Sequence, residues 1–178
     1  MNEEFGLIYD QYVAKIYRFI VLKVPSHEVA EDLCSEVFVR ALNEFQKTQV
    51  ENAQAFLYQI ARHIVVDYYR EKVRFQMVSI EDISEITDST NSVFEQASIN
   101  SDMEAVKKVL STLPDEHQNL IIWRYLDELS IPEIAQITSK SEGNVRVGVH
   151  RALQALKAKI GSPQELQTQP ALVKEGGV

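Results

Sequence analysis

The chain has 178 residues, of which 45% are hydrophobic and 25% are charged, and its formal net charge is −8. This composition is typical of a soluble globular protein, and the length suits one large domain or two small ones. No apolar run reaches the roughly 18 residues that a membrane span requires, and the acidic start, MNEEFGLIYD, is unlike a secretory signal. The single cysteine, Cys34, has no partner for an intrachain disulfide, which favours a reducing, cytoplasmic location.

The isoelectric point of about 5.0 counts against a free-standing nucleic-acid-binding protein, which is usually basic. The acidity is concentrated, however, because seven carboxylates and no lysine or arginine lie between Phe75 and Glu104. They are Glu81, Asp82, Glu85, Asp88, Glu95, Asp102 and Glu104. We therefore expect an acidic linker between two weakly basic helical units, with a disordered tail after them. The predicted bounds are 1–74 for the first unit, 75–100 for the linker, 101–160 for the second unit and 161–178 for the tail.

The first unit reads as three amphipathic helices. They are predicted at about 4–24, 28–45 and 53–73. Pro25 and Ser26 separate the first two helices. On the third helix, aromatic rings alternate with cations on the face expected to be exposed, which includes Tyr58, Arg62 and Arg70. Such a face suits single-stranded nucleic acid through stacking and phosphate pairing, but the same spacing fits tyrosines in a core or an interface.

The second unit is organised around a pair of helices in 127–159, and two platform helices are predicted before it. Ser130 and Glu133 form a capping-box pattern at the start of the first helix of this pair, and Ser141 is an N-cap candidate for the second. One side of the second helix is apolar, while its opposite face carries Asn144, Arg146, His150, Arg151, Lys157 and Lys159. This pattern predicts a DNA-reading helix-turn-helix, and the alternative is an ordinary helical hairpin with a solvated basic face.

Several motifs, in a fixed order over residues 5–157, carry a family resemblance. They are Ile8-Tyr9-Asp10-Gln11-Tyr12, Ala30-Glu31-Asp32-Leu33, Ser35-Glu36-Val37-Phe38-Val39-Arg40-Ala41, Phe56-Leu57-Tyr58-Gln59-Ile60-Ala61-Arg62, Asp67-Tyr68-Tyr69-Arg70 and Leu113-Pro114, followed by the helix-turn-helix. Together they resemble bacterial RNA polymerase sigma factors of the extracytoplasmic-function group. The resemblance implies an all-α fold of two small helical domains joined by a linker. It also implies a factor that binds core RNA polymerase, opens DNA at the minus-ten element and reads the minus-thirty-five element.

The resemblance also implies three sets of contact residues. The polymerase-binding set on the second helix is Asp32, Ser35, Glu36, Val39 and Arg40. The minus-ten set on the third helix is Phe56, Tyr58, Gln59, Arg62, His63, Asp67 and Arg70. The minus-thirty-five set is Ser141, Asn144, Arg146, His150 and Arg151. The implied partners are core polymerase and promoter DNA, both duplex and single-stranded; an anti-sigma factor is a possible further partner. No cofactor, metal or catalytic activity is implied.

Three departures from the family pattern stand out. His63 replaces the asparagine that commonly follows Ala-Arg, and Thr138-Ser139-Lys140 replaces Leu-Gly-Ile in the turn. In the recognition helix, Val147 and Gly148 stand where Ser-Arg is common. We expect Gly148 to cost about 1 kcal/mol of helix stability relative to alanine and to remove a phosphate or base contact.

Two other classes of protein remain as alternatives. A free-standing helix-turn-helix repressor or activator would use the first unit for sensing or dimerisation, but it would favour a net basic domain. An enzyme would need a recognisable catalytic constellation, and none stands out. His63 and Asp67 lie one helical turn apart and could share a metal, but no third ligand is apparent.

Overall fold

The protein is described by a computed structural model that defines residues 2–47, 49–78 and 100–160. The described residues are almost entirely helical and contain no strand, as an all-α fold requires. The helices are α1 (Asn2–Val21), α2 (His27–Phe45), α3 (Ala53–Val78), α4 (Asn100–Leu110), α5 (Asp115–Ile121), a π-helical turn (Ile122–Leu126), α6 (Ile131–Thr138) and α7 (Glu142–Ile160). None of these helices is long and apolar enough to cross a membrane.

Helix α1 ends three residues before the predicted bound of 24. The next residues form a tight turn in which the Lys23 amide donates to the carbonyl of Ile20 at 2.8 Å. Pro25 explains the early end, because its ring disfavours a helical conformation for the residue before it. Ser26 then caps α2, and its hydroxyl accepts a hydrogen bond from the Val29 amide at 3.3 Å. The turn therefore fixes the angle between the first two helices.

Helix α3 continues to Val78, beyond both the predicted end at 73 and the predicted start of the linker at 75. The stretch Arg74–Val78 contains neither proline nor glycine, so nothing in it stops the helix. At its start, the Asn52 side chain accepts a hydrogen bond from the Ala55 amide at 2.9 Å. Most of the predicted acidic linker and the whole of the predicted disordered tail lie outside the described residues.

The second platform helix predicted before the helix-turn-helix is not a regular α-helix throughout. After α5 the backbone widens into a π-helical turn, closed by a hydrogen bond of 2.9 Å from the Asp127 amide to the carbonyl of Ile122. A π turn inserts one residue into the helical repeat and rotates the following side chain relative to a regular helix. As a result Asp127 points inward and is only 5% exposed.

The helix-turn-helix forms as its sequence predicts. The capping box is complete: the Ser130 hydroxyl accepts from the Glu133 amide at 3.4 Å, and the Glu133 carboxylate accepts from the Ser130 amide at 2.7 Å. Ser139 ends α6 in a left-handed conformation with φ of 54°. Buried Val145, Val149 and Ala152 then pack α7 against the rest of the unit.

The two helical units pack directly against each other, which the sequence does not predict. The Phe19 ring of α1 stacks on Trp123 of the π turn, with centroids 5.7 Å apart and planes 9° apart. Tyr58 of α3 meets both rings edge-on, at 5.7 Å from Phe19 and 6.0 Å from Trp123. Each of these side chains is at most 1% exposed. The cores of the two units are therefore continuous through this aromatic cluster.

Candidate nucleic-acid interface

The N-terminal half of α7 presents one polar, partly basic face to solvent. The predicted residues on it are all exposed: Ser141, Asn144, Arg146, His150 and Arg151. Ser141 caps the helix, because its hydroxyl accepts a hydrogen bond from the Asn144 amide at 3.3 Å. The guanidinium of Arg146 donates to Glu142 at 2.9 Å, one turn earlier on the same helix. This pairing holds the guanidinium along the helix and would have to break for a base contact.

Gly148 does not belong to that exposed face. It is half-buried, and a Cβ atom added to it would lie 3.0 Å from the Cδ1 methyl of Leu120 in α5. A Cβ atom at this position would therefore be directed towards α5. The expectation that Gly148 removes a phosphate or base contact stays a prediction.

The outer face of α2 carries the predicted polymerase-binding residues on one side of the helix. Asp32, Ser35, Val39 and Arg40 are exposed, and Glu36 is half-buried and paired with Arg40 one turn later. Val39 is 59% exposed, which is unusual for a large apolar side chain on an otherwise charged face. It borders a largely apolar groove between α1 and α2, which is also lined by Phe5, Tyr9, Tyr17, Cys34 and Phe38. The face thus combines charges with an apolar contact area.

The predicted minus-ten residues on α3 differ in their exposure to solvent. His63 and Arg70 are exposed, while Phe56, Gln59, Arg62 and Asp67 are half-buried. Asp67 lies 3.6 Å from Arg70 as an ion pair on the helix surface. Tyr58, expected on the exposed face, is fully buried. The Tyr58 side chain points into the aromatic cluster with Phe19 and Trp123. The prediction that it lies on the exposed face of α3 is therefore wrong.

Tyr58 is held by a carboxylate that sequence reasoning missed. Its hydroxyl donates a hydrogen bond of 2.7 Å to Asp127, and burial, together with the Asp127 charge, raises the pKa of this phenol. The same carboxylate accepts from the guanidinium of Arg18, whose Nε lies 2.8 Å from Oδ1. The only sequence signal for Asp127 is an acid placed directly after the largely apolar stretch 120–126.

Further polar contacts join α3 to α6. The side-chain amide of Gln59 donates to the carbonyl oxygens of Gln136 and Ile137, at 3.2 and 3.3 Å. The Asn52 amide also donates to the side chain of Gln136. Gln59 thus joins the first unit to the first helix of the helix-turn-helix, and part of the predicted minus-ten face is covered.

Among the described residues, no group of three or more His, Cys, Asp or Glu side chains is placed to hold a metal ion. Cys34 is buried between α1 and α2, and burial raises the pKa of its thiol to about 11. A thiol with that pKa stays protonated near neutral pH and is a poor nucleophile.

Comparison with known proteins agrees with this geometry. The Sigma-70 region 2 family matches residues 8–75, and the Sigma-70, region 4 family matches residues 103–156. RNA polymerase sigma factor YlaC of Bacillus subtilis is 32% identical over 160 residues, which cover 89% of this chain and 92% of YlaC. The extracytoplasmic-function (ECF) RNA polymerase sigma factor SigM of Bacillus subtilis is 30% identical over 152 residues, 85% of this chain and 91% of SigM. The chain belongs to the extracytoplasmic-function group of RNA polymerase sigma factors.

Solved structures share the fold of this sigma factor. The sigma factor RpoE of Bartonella quintana, in complex with the anti-sigma factor NepR, matches with a TM-score of 0.69 and 20% identity over 91% of this chain and 99% of RpoE. CnrH, in complex with the cytosolic domain of CnrY, matches with a TM-score of 0.67 and 16% identity over 90% of each chain. The protein is thus a transcription initiation factor that binds core RNA polymerase and directs it to promoter DNA.

Proposed function

We propose that this sigma factor divides promoter recognition between α3 and α7. The observation that carries the proposal is the exposed N-terminal half of α7, where an amide and two guanidinium groups lie opposite a buried apolar seam. Asn and Arg side chains at the start of a recognition helix match the donor and acceptor pattern of base edges in the major groove. Residues Ser141, Asn144, Arg146, His150 and Arg151 then read the minus-thirty-five element as duplex.

Helix α3 would act on the minus-ten element. Opening that element requires bases to leave the stack, at a cost of a few kcal/mol, and each base that stacks on a protein ring returns roughly 1–3 kcal/mol. A rigid helix that presents rings and cations together supplies both stacking and phosphate pairing. The residues proposed for this task are Phe56, Gln59, Arg62, His63, Asp67 and Arg70, together with Tyr58, which is buried in this structure and would have to become exposed to meet a base.

The outer face of α2 would bind core polymerase. Support comes from exposed Val39 beside a charged pair, because interfaces commonly join an apolar contact to a charged rim. The proposed residues are Asp32, Ser35, Glu36, Val39 and Arg40, and they lie away from the contact between the two units. This factor would act without catalysis of its own and in the cytoplasm, where polymerase and DNA meet. The proposed parts are 1–74, 75–100 and 101–160, and α3 and α4 extend into the two ends of the proposed linker.

An anti-sigma factor is a further proposed partner. The Bartonella quintana sigma factor that shares this fold was solved with such an inhibitor bound. The apolar groove between α1 and α2 offers contact area that an inhibitor could use in competition with polymerase.

A charge-reversal experiment tests the polymerase surface. Asp32→Lys with Glu36→Lys should raise the Kd for core polymerase at least tenfold while the far-ultraviolet circular dichroism stays unchanged. The matched control is Glu71→Lys with Glu51→Lys, which reverses two exposed acids outside α2. An unchanged Kd for the α2 variant would show that polymerase binds elsewhere.

A further inference from the structure

An apolar side chain lies in the middle of the polar face of α7. Val147 is 49% exposed, and among the described residues of this helix the other exposed large apolar side chain is Ile160, at the last position. Gly143 and Arg151 lie one turn before and one turn after Val147, and both are exposed. Residues four apart share one side of a helix, so Gly143, Val147 and Arg151 form a row along the solvent face. This row lies opposite the buried apolar seam of α7.

The surroundings of Val147 give its exposure a meaning. Single exposed apolar residues are common on protein surfaces, so exposure alone assigns no role. Helical side chains lean towards the N-terminus of their helix, so the Val147 side chain leans over Gly143. Gly143 has no side chain, and the space beside it is open. The apolar surface of Val147 is therefore left accessible in the N-terminal half of the helix, the part of a recognition helix that contacts base edges.

Polar side chains flank this apolar surface. Asn144 and Arg146 precede Val147 on the exposed part of the helix, and His150 follows it by about one turn. In the major groove, base edges offer hydrogen-bond donors, hydrogen-bond acceptors and one apolar group, the C5 methyl of thymine. An apolar side chain among polar readers therefore matches thymine, and the edges of the other three bases offer it no apolar partner.

We propose that Val147 is a specificity-determining residue of this sigma factor and recognises a thymine in duplex DNA through the C5 methyl group of the base. The inference rests on the proposed function of α7 as the reader of the minus-thirty-five element, to which it adds one residue and one base. Burial of a single methyl or methylene group corresponds to about a fourfold change in affinity. We therefore expect thymine to be preferred over uracil by about that factor at one position of the element.

A base analogue isolates the methyl group, because uracil differs from thymine only in lacking it. A duplex library randomised across the minus-thirty-five element first selects the sites that the holoenzyme binds. Each thymine of a selected site, on either strand, is then replaced by uracil, one position at a time. The Kd of the holoenzyme for each duplex is measured at one fixed salt concentration, since DNA affinity depends steeply on salt. At least one replacement should raise the Kd of wild type about fourfold. Selected sites at which no uracil replacement changes the Kd would overturn the proposal.

Substitutions of Val147 show whether this side chain makes the methyl contact. Val147→Ser removes both methyl groups, whereas Val147→Ile keeps an apolar, β-branched side chain. The critical uracil replacement should leave the Kd of the serine variant nearly unchanged, while the isoleucine variant should keep the sensitivity of wild type. The matched control is Val73→Ser on α3, because Val73 is 51% exposed and lies outside the proposed contact sets. This control should keep the full effect of the uracil replacement.

The protein and DNA changes together form a double-mutant cycle, which separates a methyl contact from a general loss of binding. If Val147 acted only on helix stability or on polymerase binding, Val147→Ser would weaken binding to the thymine and uracil duplexes by the same factor. That result would overturn the proposal.

Arg146→Ala separates this inference from the proposed function. If Arg146→Ala weakened duplex binding while the Val147 cycle showed no coupling, α7 would read the element and only the role of Val147 would be wrong. If Arg146→Ala and Val147→Ser both bound the selected duplexes as wild type does, the proposed function of α7 would be wrong as well.

Discussion

Gly148 of α7 and Leu120 of α5 approach so closely that a Cβ atom on the glycine would lie 3.0 Å from the leucine Cδ1 methyl. Few real Cβ atoms tolerate so short a contact, so any larger residue would have to displace Leu120. A glycine inside a helix costs about 1 kcal/mol relative to alanine. Here that cost is offset by the close packing of the recognition helix on its platform.

Paired glycine substitutions test this explanation. Gly143 lies on the same helix, and nothing would lie within 4 Å of an added Cβ atom there. Gly143→Ala should therefore raise the free energy of unfolding by roughly 0.5–1 kcal/mol, as expected for an open helical site. Gly148→Ala should give a smaller gain or a loss, because Leu120 must move. Urea denaturation measures the unfolding free energy of both variants. An equal gain at the two sites would show that the Leu120 side chain moves away from the new Cβ atom without a measurable cost.

The left-handed Ser139 gives a second prediction. Its φ of 54° is a conformation that side chains disfavour and glycine adopts readily. Ser139→Gly should raise the unfolding free energy by up to about 1 kcal/mol, after the entropy that glycine adds to the unfolded chain is subtracted. Ser139→Ala is the control, since it removes the hydroxyl and keeps the backbone strain. Equal stabilisation by both variants would show that loss of the hydroxyl, and not relief of backbone strain, causes the increase in stability.

The capping box should make stability depend on pH. The Ser130 hydroxyl and then the Ser130 amide hydrogen-bond to Glu133 and lower the pKa of its carboxyl below the ordinary 4.5. A pKa depressed in the folded state contributes stability that is fully present above the unfolded pKa and is lost as pH falls through the folded pKa. Stability should thus decline below about pH 4.5, and Glu133→Gln should flatten that decline. Thermal melts from pH 6 to pH 3 measure it, with exposed Glu71→Gln as the control. A slope unchanged by Glu133→Gln would contradict this origin.

Local features of the fold were predictable because their causes lie within a few residues. The capping box needs only Ser130 and Glu133, three positions apart, and the apolar spacing of α7 fixes which side is buried. The exposed face of α2 follows from the same periodicity. Asp127 and Tyr58 were not predictable in this way. Their contact depends on the π turn, which directs the Asp127 side chain inward. It also depends on the packing of the two units, because Tyr58 and Asp127 are 69 residues apart in the chain.

The last prediction separates the two proposed DNA surfaces. In the proposed division Arg146 would leave its pair with Glu142 to reach a base edge, so Arg146→Ala should weaken promoter binding by the holoenzyme, by roughly 1–3 kcal/mol for a bidentate contact. It should leave strand separation on a pre-melted promoter nearly unchanged. Lys159→Ala is the control, an exposed cation at the far end of the same helix.

Arg62→Ala with Arg70→Ala should have the opposite effect. Both side chains lie on α3, and neither takes part in the Asp127 contact, so the fold and the binding of duplex should persist. Complexes should form while the strands stay paired, because the cations that hold the displaced backbone are gone. Permanganate reactivity of unpaired thymines, run beside a binding assay with core polymerase, measures the two steps separately. Normal opening by the α3 variant, or loss of opening on pre-melted DNA by the Arg146 variant, would show that the two helices do not divide recognition in this way.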